Sequence, residues 1–201
     1  MAAFFLSQER LESARLKSKM STSKVSFSAM LWTNCCCLLC YPAFRDRLKE
    51  TAPYLPNIEE IVVEKYERID DNTVEVVNLW KASEGEVPKV AQSFIKPDML
   101  QWTDYATWHD DELYCEWNME VGFLSEAVKC SGQTRYKAKG DRTECHINGT
   151  LEVDASKIPG VPRLLAGKLG KAVEGFVVKL ITPNLRATNR AMEKYLASEE
   201  K

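Results

Sequence analysis

Residues 113–153 alternate apolar and polar side chains over three successive runs. In ELYCEWNMEV, Leu113, Cys115, Trp117, Met119 and Val121 share one face, and Tyr114, Glu116, Asn118 and Glu120 share the other. In EAVKCSGQTRYKAKG, Val128, Cys130, Gly132, Thr134, Tyr136 and Ala138 oppose Lys129, Gln133, Arg135, Lys137 and Lys139. In DRTECHINGTLEVDAS, Cys145, Ile147, Gly149, Leu151 and Val153 oppose Glu144, His146, Asn148, Thr150 and Glu152. A period of two is the period of a strand, because successive side chains leave opposite faces of the pleat. One wet face and one covered face is the pattern of an antiparallel sheet packed on a second layer. Gly140-Asp141 supplies the turn between the last two runs.

The same reasoning finds further strands upstream. KVSFSA (24–29) puts Val25, Phe27 and Ala29 on one face. IEEIVVEKYERID and NTVEVVNLWKAS flank Asp70-Asp71-Asn72, which reads as a hairpin turn. QWTDYATWH leads through Asp110-Asp111 into the first alternating run, as a second hairpin. SEGEVPK is a loop, and VAQSFIKPDML fits either a short strand or a helical turn near Pro97. Pro42 suits the first turn of a short helix, and Pro53 and Pro56 end the short-helix region.

The covering layer comes last in the chain. Residues 161–198 run in helical period, with Leu165, Leu169, Val173, Phe176, Val177, Leu180, Ile181, Leu185, Met192 and Leu196 as an apolar stripe. Pro183 is expected to kink this helix, because it removes one backbone bond. The fold class is therefore α+β, with about seven antiparallel strands, two short helices after the first strand and one long terminal helix.

Composition narrows the function classes. The chain has 201 residues and is 45% hydrophobic, enough for one domain with a single core. A net charge of −2 argues against nucleic-acid binding, which usually needs a basic face, so no nucleic acid is expected, with a local basic patch as the alternative. The run AMLWTNCCCLLCYPAF is broken by Thr33, Asn34 and Pro42 and falls short of a membrane span, so no transmembrane segment is expected. Lys129, Arg135, Lys137 and Lys139 form a basic strand face, read as solvated, with a peripheral membrane contact as its alternative. Residues 1–22 read as a frayed helical extension ahead of a domain at 23–198, with 199–201 a charged tail. Met20 is an alternative start. The location is expected to be cytoplasmic, and Arg10, Arg15, Lys17 and Lys19 make an organellar address the alternative.

TNCCCLLCYP (33–42) holds four of the seven cysteines. An odd number with three adjacent argues for free thiols in a reducing compartment. Cys37 and Cys40 have C-x-x-C spacing, half of a zinc or redox motif. A tetrahedral site needs two more ligands, and the remaining cysteines lie on separate strands. The expectation is buried structural thiols, with no metal and no cofactor.

The order of strand, helix pair, six strands and long helix resembles the START-like (SRPBCC) helix-grip superfamily over residues 24–198. That superfamily includes the birch-pollen-allergen-like and the polyketide cyclase/dehydrase-like proteins. IPGVPRLLAGKLGKAVEGFVVKLITPNLRATNRAMEKYL and AFRDRLKETAPYLPNIEEI look like a branch of it known mainly as a domain of unknown function. The resemblance implies a curved sheet wrapped around the terminal helix, with CCCLLC in the first short helix across the concave opening. It also implies an elongated cavity between sheet and helix that takes a hydrophobic small molecule or lipid. Candidate lining residues are Trp80, Trp102, Ala106, Trp108, Cys115, Trp117, Met119, Cys130, Tyr136, Cys145 and Ile147 from the sheet, and Phe176, Val177, Leu180 and Ile181 from the helix. The competing reading of the same residues is a solid core.

No Ser/His/Asp pattern, phosphate-binding loop or strong metal motif is present, and the resemblance together with the apolar lining makes binding without catalysis the leading reading. An enzyme of polyketide-cyclase type is the second, and would need Asp104, Tyr136 or His109 to converge in a pocket. Asp104 shares a face with Trp102 and Trp108, but the strand is expected to bulge there and leave it solvated. An interaction subunit with a protein partner is the third.

Overall fold

The computed structural model describes residues 22–83, 101–122, 125–157 and 184–199. The order is β1 (Thr22–Thr33), α1 (Cys37–Asp46), a 3-10 helix (Leu48–Tyr54), β2 (Ile58–Arg68), β3 (Thr73–Ala82), β4 (Gln101–His109), β5 (Tyr114–Glu120), β6 (Val128–Lys139), β7 (Arg142–Asp154) and a short 3-10 turn (Ala155–Lys157). Residues 184–199 are helical and are called α2. The strands form one curved antiparallel sheet in the order β1-β7-β6-β5-β4-β3-β2. The predicted fold class holds. The helix stripe from Leu165 to Ile181, Pro183 and the segment VAQSFIKPDML lie outside the described residues.

The alternation does set the faces. On β7, Thr143, Cys145, Ile147, Leu151 and Val153 are buried, while Arg142 and Asn148 are exposed. Ala138 departs from the pattern and is exposed, because it sits where β6 runs out toward the hairpin tip. Gly140 occupies that tip at φ +64°, a left-handed conformation that costs glycine nothing. The β2–β3 turn closes on an Asx contact, Asn72 N–H donating to Asp70 Oδ1 at 2.8 Å. Leu113 is not on β5. It lies in the turn at φ 53°, and still packs its side chain on the core.

Pro42 also departs from expectation. Helix α1 begins at Cys37, so Pro42 is interior and not in the first turn. Its missing N–H leaves the Leu38 carbonyl without its helical donor. Leu38 is 82% exposed, so water can serve that carbonyl.

Two devices hold the helices to the sheet. Arg45 donates to both carboxylate oxygens of Asp46, at 2.7 and 2.8 Å, and to Asp110 in the β4–β5 turn. Burial would raise the Asp46 carboxyl, but hydrogen bonds from Arg45 and Tyr66 outweigh it and hold the group low. On α2, the Asn189 Nδ2 donates to the Trp32 carbonyl at 2.9 Å, and Thr33 Oγ1 donates to Asn189 Oδ1 at 2.6 Å. Thr33 is fully buried, so this pair fixes α2 against the end of β1 out of reach of water.

The two central glycines are a close-packing device. Gly132 and Gly149 are cross-strand partners on the concave face. A Cβ on Gly132 would meet the Asn148 backbone oxygen and, at 2.5 Å, the Trp117 ring. Gly132→Ala is expected to cost about 1–3 kcal/mol, the range for overpacking against an unyielding neighbour. Chemical denaturation checks it, and an unchanged midpoint would show that the strands separate easily there.

Candidate functional site

The inward faces of the strands line up in rows across the sheet. One row runs Asn78, Asp104, Met119, Cys130, Leu151 and Val25. The next runs Val76, Ala106, Trp117, Gly132, Gly149 and Phe27, and the one after it Val74, Trp108, Cys115, Thr134, Ile147 and Ala29. On the other side of the first row stand Ile61, Trp80 and Trp102.

Three apolar clusters occupy the margins of this face. Under α1, Tyr41 meets Trp108 and Tyr136 edge-on, at ring distances of 5.3 and 5.4 Å, above Val74, Val76, Cys115, Cys145 and Ile147. Beside the 3-10 helix, Trp80 stacks on Trp102 at 5.5 Å among Leu48, Leu55, Ile58, Ile61 and Ala191. At the far end, Val128, Cys130, Leu151 and Val153 close on Ala127. Between the clusters, Phe27, Trp102, Asp104, Trp117 and Met119 are only half-buried. Phe27 and Trp117 stack at 6.3 Å over the two glycines, whose missing side chains leave room for the rings. Trp117 Nε1–H donates to Thr134 Oγ1 at 3.1 Å.

Three polar groups stand side by side on one part of this apolar face. Asn78 is 3% exposed, and among the described residues its Oδ1 has no hydrogen-bond partner. Trp80 is 8% exposed, and its Nε1–H has none either. Asp104 is the direct cross-strand partner of Asn78. The expected bulge is absent: β3 and β4 pair in unbroken register from Thr73 to Lys81, and that register turns Asp104 inward. The bulges fall between β2 and β3, at Ile58/Glu60 and Val63/Lys65. Burial alone pushes the Asp104 carboxyl up to about 7, although its side chain is not fully covered. Among the described residues, no counter-charge or donor offsets that burial.

Of the residues named from sequence, Trp80, Ala106, Trp108, Cys115, Cys130, Tyr136, Cys145 and Ile147 are buried on the concave face. Trp102, Trp117 and Met119 share that face and are half-buried. Phe176, Val177, Leu180 and Ile181 lie outside the described residues. Phe27 and Asn78 were not named. Both carry the signal that would have found them, since Val25, Phe27, Ala29 and Val74, Val76, Asn78, Trp80 keep the inward period.

The acid–base candidates do not converge. Tyr136 is six positions along β6 from Cys130, which lies in the Asp104 row, so about 20 Å separates them along the strand. Tyr136 is buried, and burial holds its hydroxyl well above the ordinary range. His109 is at the end of β4, stacked on Tyr114 at 4.4 Å.

Among the thiols, Cys37, Cys40, Cys115, Cys130 and Cys145 are buried, and Cys35 and Cys36 are half-buried. The C-x-x-C pair is not the chemical unit. Cys40 instead groups with Cys145 of β7 and with Cys35, whose hydrogen bonds favour ionisation of Cys40 first and push their own thiols up. Thr33 Oγ1 lies 3.8 Å from Cys145 Sγ. Among the described residues, no group of three or more His, Cys, Asp or Glu is placed to hold a metal ion. A thiol reagent is expected to modify at most two of the seven cysteines in the native protein and all seven after denaturation. Prompt modification of four or more would overturn the burial described here.

A family model described as "Protein of unknown function (DUF2505)" matches residues 44–196. No curated protein matches the chain significantly. Among solved structures, the TTHA0849 protein from Thermus thermophilus is similar at 17% identity and TM-score 0.63, over 88% of this chain and 100% of that one. The Zhui aromatase/cyclase from Streptomyces sp. R1128 is similar at 14% identity and TM-score 0.59, over 87% and 96%. Norcoclaurine synthase from Thalictrum flavum, in complex with dopamine and hydroxybenzaldehyde, is similar at 19% identity and TM-score 0.53, over 90% of both chains. At these identities the likeness is one of fold, the helix grip of a curved antiparallel sheet and a C-terminal helix. Among the described residues, no helix is long and apolar enough to cross a membrane.

Proposed function

We propose, from the premise that the chain belongs to the family described as Protein of unknown function (DUF2505), that it binds a hydrophobic small molecule or lipid between the sheet and the C-terminal helix. The observation that carries this reading is the half-covered centre of the concave face. Phe27, Trp102, Trp117 and Met119 pack against the three buried clusters and yet, like Asp104, keep accessible surface. Asp104 supports it further, because a desolvated carboxyl that still keeps part of its surface accessible is what the wall of a ligand cavity would carry. Sites of this kind combine apolar and aromatic walls with a few polar groups. The norcoclaurine synthase structure, similar in fold, holds two small aromatic molecules.

Titration with an apolar fluorophore tests the reading. Binding at a single site, with quenching of the tryptophan emission, is expected. No saturable binding and no quenching would defeat it.

A second reading, an enzyme of cyclase type, draws on one observation: an inward carboxyl pushed up to about 7 can exchange a proton near neutrality. It would act without Tyr136 or His109. If Asp104→Asn left turnover of every candidate substrate unchanged, this reading would be lost.

A further inference from the structure

We propose that Asn78, Trp80 and Asp104 form a recognition point for a hydroxyl group carried by an otherwise apolar ligand. The inference rests on the binding reading above and adds the chemistry of one end of the ligand.

Asn78 and Trp80 are alternate residues of β3 on the inward face, and Asp104 and Trp102 are their cross-strand partners on β4. The three polar groups therefore occupy neighbouring positions on one patch of the sheet. Buried polar groups are normally paired, because an orphaned donor or acceptor costs about 1–3 kcal/mol. Here Asn78 Oδ1 and Trp80 Nε1–H are both orphaned. Among the described residues, no charge and no hydrogen-bond donor offsets the burial of Asp104. An apolar fold that keeps three such groups side by side is built for a partner that supplies what they lack.

Their chemistry selects that partner. The indole N–H can only donate, so the ligand group must accept. A carboxylate accepts, and so does the amide in the orientation found, so the ligand group must also donate. A hydroxyl does both. An ammonium group has no lone pair for Trp80. A carbonyl, an ether or a ligand carboxylate has no proton for Asn78 Oδ1. The stacked Trp80 and Trp102 rings, 5.5 Å apart, give the carbon skeleton an aromatic wall beside the polar point.

The test compares decan-1-ol, its methyl ether and decylamine by calorimetric or tryptophan-fluorescence titration of the full chain. A site that hydrogen-bonds a hydroxyl rejects the analogue lacking it, because its own groups are then left unpaired. The alcohol is expected to bind at least about tenfold more tightly than the ether. In Asn78→Leu and in Asp104→Leu the ratio is expected to fall to about threefold or less, with ether affinity retained. Equal binding of alcohol and ether by the unsubstituted chain would overturn the inference while leaving the binding reading intact, and would assign the polar groups to ordered water. Preference for decylamine, or selectivity that survives both substitutions, would also overturn it. Failure of all three probes to bind would remove the binding reading together with the inference.

Discussion

Asp104→Asn is expected to stabilise the protein at pH 8 and to leave it nearly unchanged at pH 4. The carboxyl titrates at about 7 in the folded chain against an ordinary value of 3.8. Its folded pKa is raised, so the folded state holds a proton that the unfolded state has already released. Stability therefore falls as pH rises from about 4 to about 7 and then levels off. The full shift corresponds to about 4 kcal/mol at 1.36 kcal/mol per unit. Partial access of water to the side chain reduces that to about 2–3 kcal/mol. Asparagine does not titrate, so the variant escapes the whole penalty. Denaturant melts of both proteins at the two pH values check the sign. A variant less stable at pH 8, or a gain equal at both pH values, would mean that the carboxyl is paired or solvated. A destabilising group kept at the centre of an apolar face is what a binding function would account for.

Asn189→Ala is expected to lower stability by about 3 kcal/mol, or about 10 °C in Tm for a chain of this size. The substitution removes two hydrogen bonds, to the Trp32 carbonyl and from the Thr33 hydroxyl. It takes these bonds from the Trp32 carbonyl and from the Thr33 hydroxyl, which is fully buried and keeps the weak contact with Cys145 Sγ at 3.8 Å. The neighbouring Asn34 N–H still donates to Glu193 Oε1 at 2.7 Å, so α2 keeps one tie to the end of β1. The loss should appear in thermal melts as a lower transition with the same final signal. A loss below about 0.5 kcal/mol would mean that apolar packing around Met192 and Ala191 alone seats the helix.

The sheet was legible because its signal is local. Cys115 to Met119, Cys130 to Tyr136 and Cys145 to Val153 alternate so regularly that no second register keeps the apolar residues together. The start of α1 was less legible. A proline is read most naturally as opening a helix, whereas Cys37 opens this one and exposed Leu38 absorbs the missing bond. Asp104 was misread for an energetic reason. An unpaired carboxylate inside is costly, so a bulge was the cheaper expectation. The β3–β4 pairing overrules it, and pairing between strands is set by the whole sheet. Asn78 keeps the inward period of Val74, Val76 and Trp80, so its direction could be read. That its amide oxygen has no partner depends on residues from other strands and could not. The grouping of Cys40 with Cys145, and not with Cys37, is likewise a consequence of α1 lying across β7.

On this reading the protein carries an apolar molecule inside the grip of sheet and helix. Native mass spectrometry of the protein purified from its own source, before and after organic extraction, tests it most directly. The account predicts a bound mass of a few hundred daltons, released by extraction and recovered as an apolar compound bearing a hydroxyl group. A bare monomer that also takes up no apolar probe would contradict the account, and would make the concave face a solid core.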